Sequence, residues 1–480
     1  MMSYESVIGL EVHAQLLTKT KVFCFCPTIF LADPNEHTCP ICLGMPGVLP
    51  VLNRQAVEFV MRTGLALQGT IAPACRFARK SYFYPDLPKG YQISQYDEPL
   101  IQGGGLDIEV DGTTKHVRIV RIHLEEDTGK SIHGENLADP TKSYIDLNRC
   151  GVPLMEVVSA PDLCSSAEAK VYLQKLKTIL EYLDVCDGNM EEGSLRCDAN
   201  VSLRPKGAQA LGTRTEIKNL NSFRFLQWAL DYEIERQRQV LASGGQVLQE
   251  TRLFDAQRGV TLPMRSKEDA HDYRYFPEPD LVRLQVDAAW IARVRAALPE
   301  LPDAKRQRFV AQYDLPEYDA AVLSASRALA NYFEATVQRY DQPKVVSNWV
   351  MGDFRRAISR HHHSPQQAPV TPAHLAAMLR LVDEGVISGK IAKTVFEEMY
   401  ATGKQPSEIV EERGLVQITD RDALEELVKG VLADHTEQVE VYRGGKHQLL
   451  GFFVGQVMQM TQGKAHPKLA NELLRKHLAP

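Results

Sequence analysis

The chain has 480 residues, 44% of them apolar and 24% charged, with a formal net charge of −6. That is the make-up of a folded globular protein too long for one core, so two to four domains are expected and an intrinsically disordered chain is excluded. No apolar run approaches the roughly 18 residues that span a bilayer. Glu5 and Glu11 interrupt the first apolar stretch, which excludes a signal peptide. Nine cysteines, an odd number, in a chain without an export signal predict reduced thiols, a cytoplasmic location and a metal site.

The first clear element is Val7-Ile-Gly-Leu-Glu-Val-His-Ala-Gln-Leu16. Ile8, Leu10, Val12 and Ala14 alternate with Glu11, His13 and Gln15, so one strand face is apolar and the other polar. A carboxylate and an imidazole two residues apart can grip one divalent ion, although a solvated strand face has the same pattern. Cys24-x-Cys26 and Cys39-x-x-Cys42 follow, two close thiol pairs that suit a closed tetrahedral zinc shell. Such a shell leaves no open position, so the metal is structural, pinning a loop that holds Pro27, Pro34 and Pro40. The remaining residues to about 160 read as strands and turns, with a hairpin turning at Asp111-Gly112.

A helix is predicted from about 165, where Ser165 and Glu168 fit a capping box. Alternation from Ser194 to Arg204 predicts a strand with Arg196, Asp198 and Asn200 on its polar face. A second helix, about Ser222 to Ala242, stops at Ser243-Gly244-Gly245. Beyond Asp287 strand patterns vanish. The expected organisation is α+β: a strand-rich domain with helices over 1–290, a helical domain over 291–405 and a small helical tail over 406–480. From Val441 to Pro480 six basic residues face one acid, Glu472, which suggests either an anion-binding tail or a solvated helix face.

Four polar segments mix acids with Lys, Arg and Asn: His123-Leu-Glu-Glu-Asp-Thr-Gly-Lys-Ser131, Asp146-Leu-Asn-Arg-Cys-Gly-Val-Pro-Leu-Met-Glu156, Glu191-Glu-Gly-Ser-Leu-Arg-Cys-Asp-Ala-Asn200 and Thr215-Glu-Ile-Lys-Asn-Leu-Asn-Ser222. Each alone is an ordinary solvated edge. Together they point to metal-bound phosphate chemistry, in which acids hold Mg²⁺ and bases hold phosphates. Gly129-Lys130-Ser131 ends like a Walker A loop, but Leu124 stands where its first glycine belongs.

These segments, with Ser81-Tyr-Phe-Tyr-Pro-Asp-Leu-Pro-Lys-Gly-Tyr-Gln-Ile-Ser94 and Asp272-Tyr-Arg-Tyr-Phe-Pro-Glu-Pro-Asp280, occur in an order that closely resembles the B subunits of aspartyl/glutamyl-tRNA(Asn/Gln) amidotransferases over essentially the whole chain. The resemblance implies a cradle-shaped catalytic domain that uses ATP and Mg²⁺ to phosphorylate the side-chain carboxylate of Glu-tRNA(Gln) or Asp-tRNA(Asn). Ammonia from the partner amidase, the A chain of the complex, then displaces phosphate, and a small C chain completes a heterotrimer. It also implies that Glu11, His13 and Glu125 lie nearest the metal. Glu126, Glu191 and Asp198 follow as further catalytic acids. Lys89, Asn148, Arg149, Glu156, Arg196, Asn200, Lys218 and Asn219 are expected to contact ATP or substrate. Arg443, Lys446, Lys464 and Lys468 are expected on the tRNA-binding tail, where His466 stands in place of the usual Asn. Some relatives lack the cysteine quartet, so zinc is a brace. The archaeal relative carries a large extra domain for which this chain has no room. A zinc-stabilised tRNA-binding scaffold without catalysis is the alternative, but carboxylates around Glu11, Glu125 and Glu191 would repel RNA unless a cation lay between.

Overall fold

The strand expected around Glu11 is β1, Tyr4–Gln15, and it runs through the middle of the largest sheet. The structure, a computed structural model, describes residues 3–30, 32–132, 141–264, 273–418, 420–461 and 463–479; Asp272 of the quoted motifs lies outside them. The chain divides into two compact units, Met1–Leu301 and Pro302–Pro480.

In the first unit α1 (Arg54–Ala66) follows the cysteine loop. Next come β2 (Thr70–Ile71), β3 (Ala78–Ser81), β4 (Tyr91–Ser94) and β5 (Ile101–Gln102). Then β6 (Gly105–Val110) and β7 (Thr113–Glu126) form the predicted hairpin. Its turn residues Asp111 and Gly112 both have positive φ, 51° and 74°. That pair of values gives a two-residue turn whose twist matches the strands. After β8 (Pro153–Ser159) come α2 (Ser166–Tyr182), β9 (Leu195–Pro205), β10 (Thr215–Lys218), α3 (Phe223–Ala242), β11 (Glu250–Asp255), β12 (Val260–Pro263) and β13 (Phe276–Pro277).

Ten strands form the main sheet in the order β12-β11-β10-β9-β1-β8-β7-β5-β2, with β6 on β7. Every pairing in it is antiparallel except β10 with β11. A second sheet joins β13, β3 and β4. The apolar side of β1, with Ile8, Leu10, Val12 and Ala14, packs into one core with Val57 and Met61 of α1, Leu173 and Leu176 of α2 and Leu226 of α3. The helices therefore cover one side of the sheet and leave the polar side of β1 for chemistry.

Helix caps follow the sequence. The Ser165 hydroxyl accepts from the Glu168 amide, and that of Ser222 from the Phe225 amide. The Glu168 carboxylate reaches back to the Cys164 amide rather than to Ser165. One element departs from expectation: α1 lies in a stretch read as strands and turns. Asn53 caps it, and Val57, Val60 and Met61 provide the buried stripe, a period the surrounding prolines and short strands obscured.

The second unit is helical. One core gathers Leu323, Phe333, Val350, Met378 and Phe396 and extends to Ile409 and Val410 of the helix Pro406–Glu412. A smaller one gathers Leu424, Val428, Phe453, Val457 and Leu473. The architecture is α+β, a mainly antiparallel sheet followed by helices. No helix among the described residues is long and apolar enough to cross a membrane.

Candidate active site

Strand register assembles the site. On either side of β1, Glu11 faces Asp198 of β9 and Val158 of β8, while His13 faces Arg196 and Glu156. Glu156 in turn faces His123 of β7, and Leu154 faces Glu125. Directly opposed residues share a sheet face, so four strands put Asp198, Arg196, Glu11, His13, Glu156, His123 and Glu125 on one surface.

Glu156 is the hub. Its Oε2 lies 3.3 Å from His13 Nε2 and 3.6 Å from His123 Nε2. His13 Nε2 also lies 3.6 Å from Glu11 Oε1, and His123 Nε2 3.6 Å from Glu125 Oε2. The result is two histidine–carboxylate triads, Glu11–His13–Glu156 and His123–Glu125–Glu156. The ligand atoms in each lie within 4.8 Å of one another. Carboxylate oxygens at that spacing suit a hard divalent cation, whereas imidazole nitrogens favour softer ions.

Electrostatics follow from the crowding. Burial opposes the charge on His13, but the Glu156 carboxylate hydrogen-bonded to it holds its pKa up at about 9. Burial and the neighbouring Glu156 charge push Glu11 above the usual carboxylate range. Glu125 resists its own burial and stays low because His123 bonds to it. Ser94 of β4 donates to Glu125 Oε2 at 2.9 Å, tying the second sheet to the triads.

Cations ring this surface. Lys218 donates to Asp198 at 2.7 Å and lies 3.0 Å from Glu216. Arg196 donates to Asp127 at 3.0 Å, as Gln15 does at 2.7 Å. Arg149 lies 3.5 Å from the same carboxylate and donates to the Thr128 and Gly129 carbonyls. Asn200 is half-buried opposite Gly9 and Glu216.

Other expected residues are engaged elsewhere. Alternation along β7 turns Glu126 away from Glu125, and it pairs with Lys89 and accepts from the Ile93 amide at 2.8 Å. Glu191 is exposed in a loop. Asn148 fixes the cysteine loop, accepting from the His37 amide at 2.8 Å and donating to the Asp33 carbonyl at 2.7 Å. Asn219, at φ 66°, donates to the Phe254 carbonyl.

Three residues were missed. His123 stood inside a quoted motif, but only its pairing with Glu156 reveals it. Arg121 lies 3.4 Å from Glu156, two positions before His123 on the same strand face. Lys80 of β3 packs 4.9 Å from the Tyr273 ring. Despite burial its ammonium is strengthened by the Glu125 and Glu156 charges. Set between Arg79 and Ser81, Lys80 carried no periodic signal.

The cysteine loop makes a separate centre. The sulfurs of Cys24, Cys26, Cys39 and Cys42 lie within 4.8 Å of one another, those of Cys39 and Cys42 at 3.9 Å. A tetrahedron with metal–sulfur bonds of about 2.3 Å has edges of about 3.8 Å, so the quartet fits zinc. The loop also touches the ion pair behind the site: at Gly44, where φ is +66°, a Cβ would come within 2.4 Å of Lys89 Cγ.

In the tail, Arg443 donates to the His477 carbonyl at 3.1 Å. Lys446, Lys464 and Lys468 make no ion pair among the described residues. His466 caps the helix Pro467–Leu478, its Nδ1 accepting from the Leu469 amide at 3.2 Å.

Residues 6–292 match the family model described as the GatB/GatE catalytic domain, and residues 331–478 the one described as the GatB domain. Curated relatives are named as B subunits of aspartyl/glutamyl-tRNA(Asn/Gln) amidotransferases. That of Moorella thermoacetica is 59% identical over 479 residues, covering 99% of this chain and 100% of the relative. That of Geotalea daltonii is 58% identical over 477 residues, at 99% and 100% coverage. The Carboxydothermus hydrogenoformans relative is 56% identical over 479 residues, at 100% of both. An α+β scaffold with a catalytic-domain match thus defines one chain of an amidotransferase. The chain belongs to the GatB/GatE family, as a B-type subunit of the tRNA-dependent amidotransferases.

Proposed function

We propose that this protein activates the side-chain carboxylate of glutamate or aspartate attached to tRNA(Gln) or tRNA(Asn), by phosphoryl transfer from ATP. The γ-phosphoryl group passes to a carboxylate oxygen and ADP leaves. Ammonia then attacks the acyl carbon, the C–O bond to phosphate breaks, and Gln-tRNA or Asn-tRNA is released. A carboxylate is a poor acyl donor, whereas phosphate is a good leaving group.

The observation that carries this reading is the meeting of two histidine–carboxylate triads at Glu156. Glu11, Glu125 and Glu156 would hold Mg²⁺ through carboxylate oxygens, with His13 joining them only on giving up its proton, and the ion's charge would stabilise the transferring phosphoryl group. Arg196, Lys218 and Lys80 supply positive charge for the phosphates. Asp198 and Asp127 orient Lys218 and Arg196 through the hydrogen bonds described. Asn200 is available to a polar group of the substrate. Ammonia comes from the amidase A chain, with the small C chain in the same complex. The tail, through Arg443, Lys446, Lys464 and Lys468, binds tRNA, and zinc on the four cysteines braces the loop. The complex works in the cytoplasm.

Glu125→Gln in the assembled complex tests the reading. Transamidation should be abolished, with glutamine hydrolysis by the partner and tRNA binding retained. A parallel loss of tRNA affinity would support a binding scaffold and refute the kinase role.

A further inference from the structure

Lys21 is fully buried, with none of its surface exposed. Its ammonium donates to the His37 carbonyl at 2.7 Å, to the Leu147 carbonyl at 3.4 Å and to Cys42 Sγ at 3.7 Å. It forms no ion pair with a carboxylate among the described residues. A buried ammonium satisfied only by neutral carbonyls is strongly destabilising, and such groups are normally paired with an anion. Among the described residues, Cys42 is the one hydrogen-bond partner of this ammonium that can carry negative charge.

Four thiolates around Zn²⁺ leave a net charge of −2, costly on the side where Cys24 and Cys42 are buried. Each side therefore supplies what the other lacks. We infer that Lys21 is the counter-cation of the cysteine centre, offsetting the charge of a fully deprotonated zinc–tetrathiolate on its buried, Cys42 side. Through Leu147 the same ammonium ties the metal loop to the segment bearing Asn148 and Arg149. Lys21 touches no substrate-side group and acts on the metal through Cys42, as outer partners of metal ligands do elsewhere.

The inference rests on the zinc reading above, and one experiment separates the two. Zinc affinity of the full chain is measured by competition with a chromophoric chelator, and Co²⁺ substitution reports thiolate ligation by its sulfur-to-metal absorption. Lys21→Met, which keeps length and removes charge, should weaken zinc binding about 10- to 100-fold. Lys21→Arg should stay within about fivefold of the parent. In zinc-free protein, Lys21→Met should melt no lower than the parent, because an unpaired buried charge has gone. If Lys21→Met does not fold, Lys21→Gln, which can still donate to the two carbonyls, is measured instead. Zinc binding unchanged within about twofold in the uncharged variant, or lost equally in Lys21→Arg, overturns the counter-cation role while leaving the staple intact. A parent chain that binds neither Zn²⁺ nor Co²⁺ overturns both.

Discussion

Replacing Glu156 by Gln gives the most discriminating test of the site, because this one carboxylate belongs to both triads. The amide keeps the shape and removes the charge that faces His13 at 3.3 Å, Arg121 at 3.4 Å and His123 at 3.6 Å. Removing one partner from a buried charged cluster costs about 3–5 kcal/mol. At about 1.4 kcal/mol per tenfold, that is roughly a 10²- to 10⁴-fold loss of rate if the cost falls on the reacting state. Glu11→Gln touches one triad only and leaves Glu156 to both histidines, so its loss should be smaller by at least about tenfold. The assay is transamidation of mischarged tRNA by the assembled complex, with glutamine hydrolysis and tRNA affinity measured on the same preparations. Glu156→Gln activity within about tenfold of the parent, or no lower than that of Glu11→Gln, would refute the shared-carboxylate reasoning.

Two other regions give independent predictions. Replacing Lys446, Lys464 and Lys468 together by Ala should weaken tRNA binding and reduce the slope of log affinity against log salt by about one for each phosphate no longer neutralised; an unchanged slope removes these lysines from the interface. In the helical unit the Glu334 pKa is lowered: burial opposes this, but Arg308 at 2.7 Å and Lys305 at 2.9 Å prevail. A depressed folded-state value means this stabilisation is complete above about pH 4.5, the ordinary carboxylate range. It is lost as pH falls through the folded value. The melting temperature should therefore drop on acidification below that range, and Glu334→Gln should flatten the drop. Equal slopes in parent and variant would exclude the linkage.

What the sequence revealed, and what it hid, follows interaction range. The Asp111-Gly112 turn, the Ser165 cap, the helix beginning near Ser222 and the alternation of β1 and β9 are local, and local chemistry sufficed for them. Glu11 and His13 were visible as a pair because two residues on one strand share a face. His123 and Arg121 were not, because their meaning depends on β7 lying beside β8. Similarly, the resemblance implied Asn148 and Asn219 as contacts to ATP or substrate and Glu191 as a catalytic acid, from motif position and residue chemistry. Two of them spend their polar atoms on neighbouring backbone, and the third faces solvent. Glu126 sits beside Glu125 in sequence yet on the opposite side of the sheet, a distinction that proximity along the chain cannot convey.

The alternation of β1 has one last consequence. Sliding this strand a single position against β8 or β9 would drive Glu11 and His13 into the helix-covered interior and expel Val12 and Leu10 to water. A misaligned chain would thus lose its hydrophobic packing and its chemistry in the same error. Fold and candidate site depend on the same register in the two ladders that flank β1.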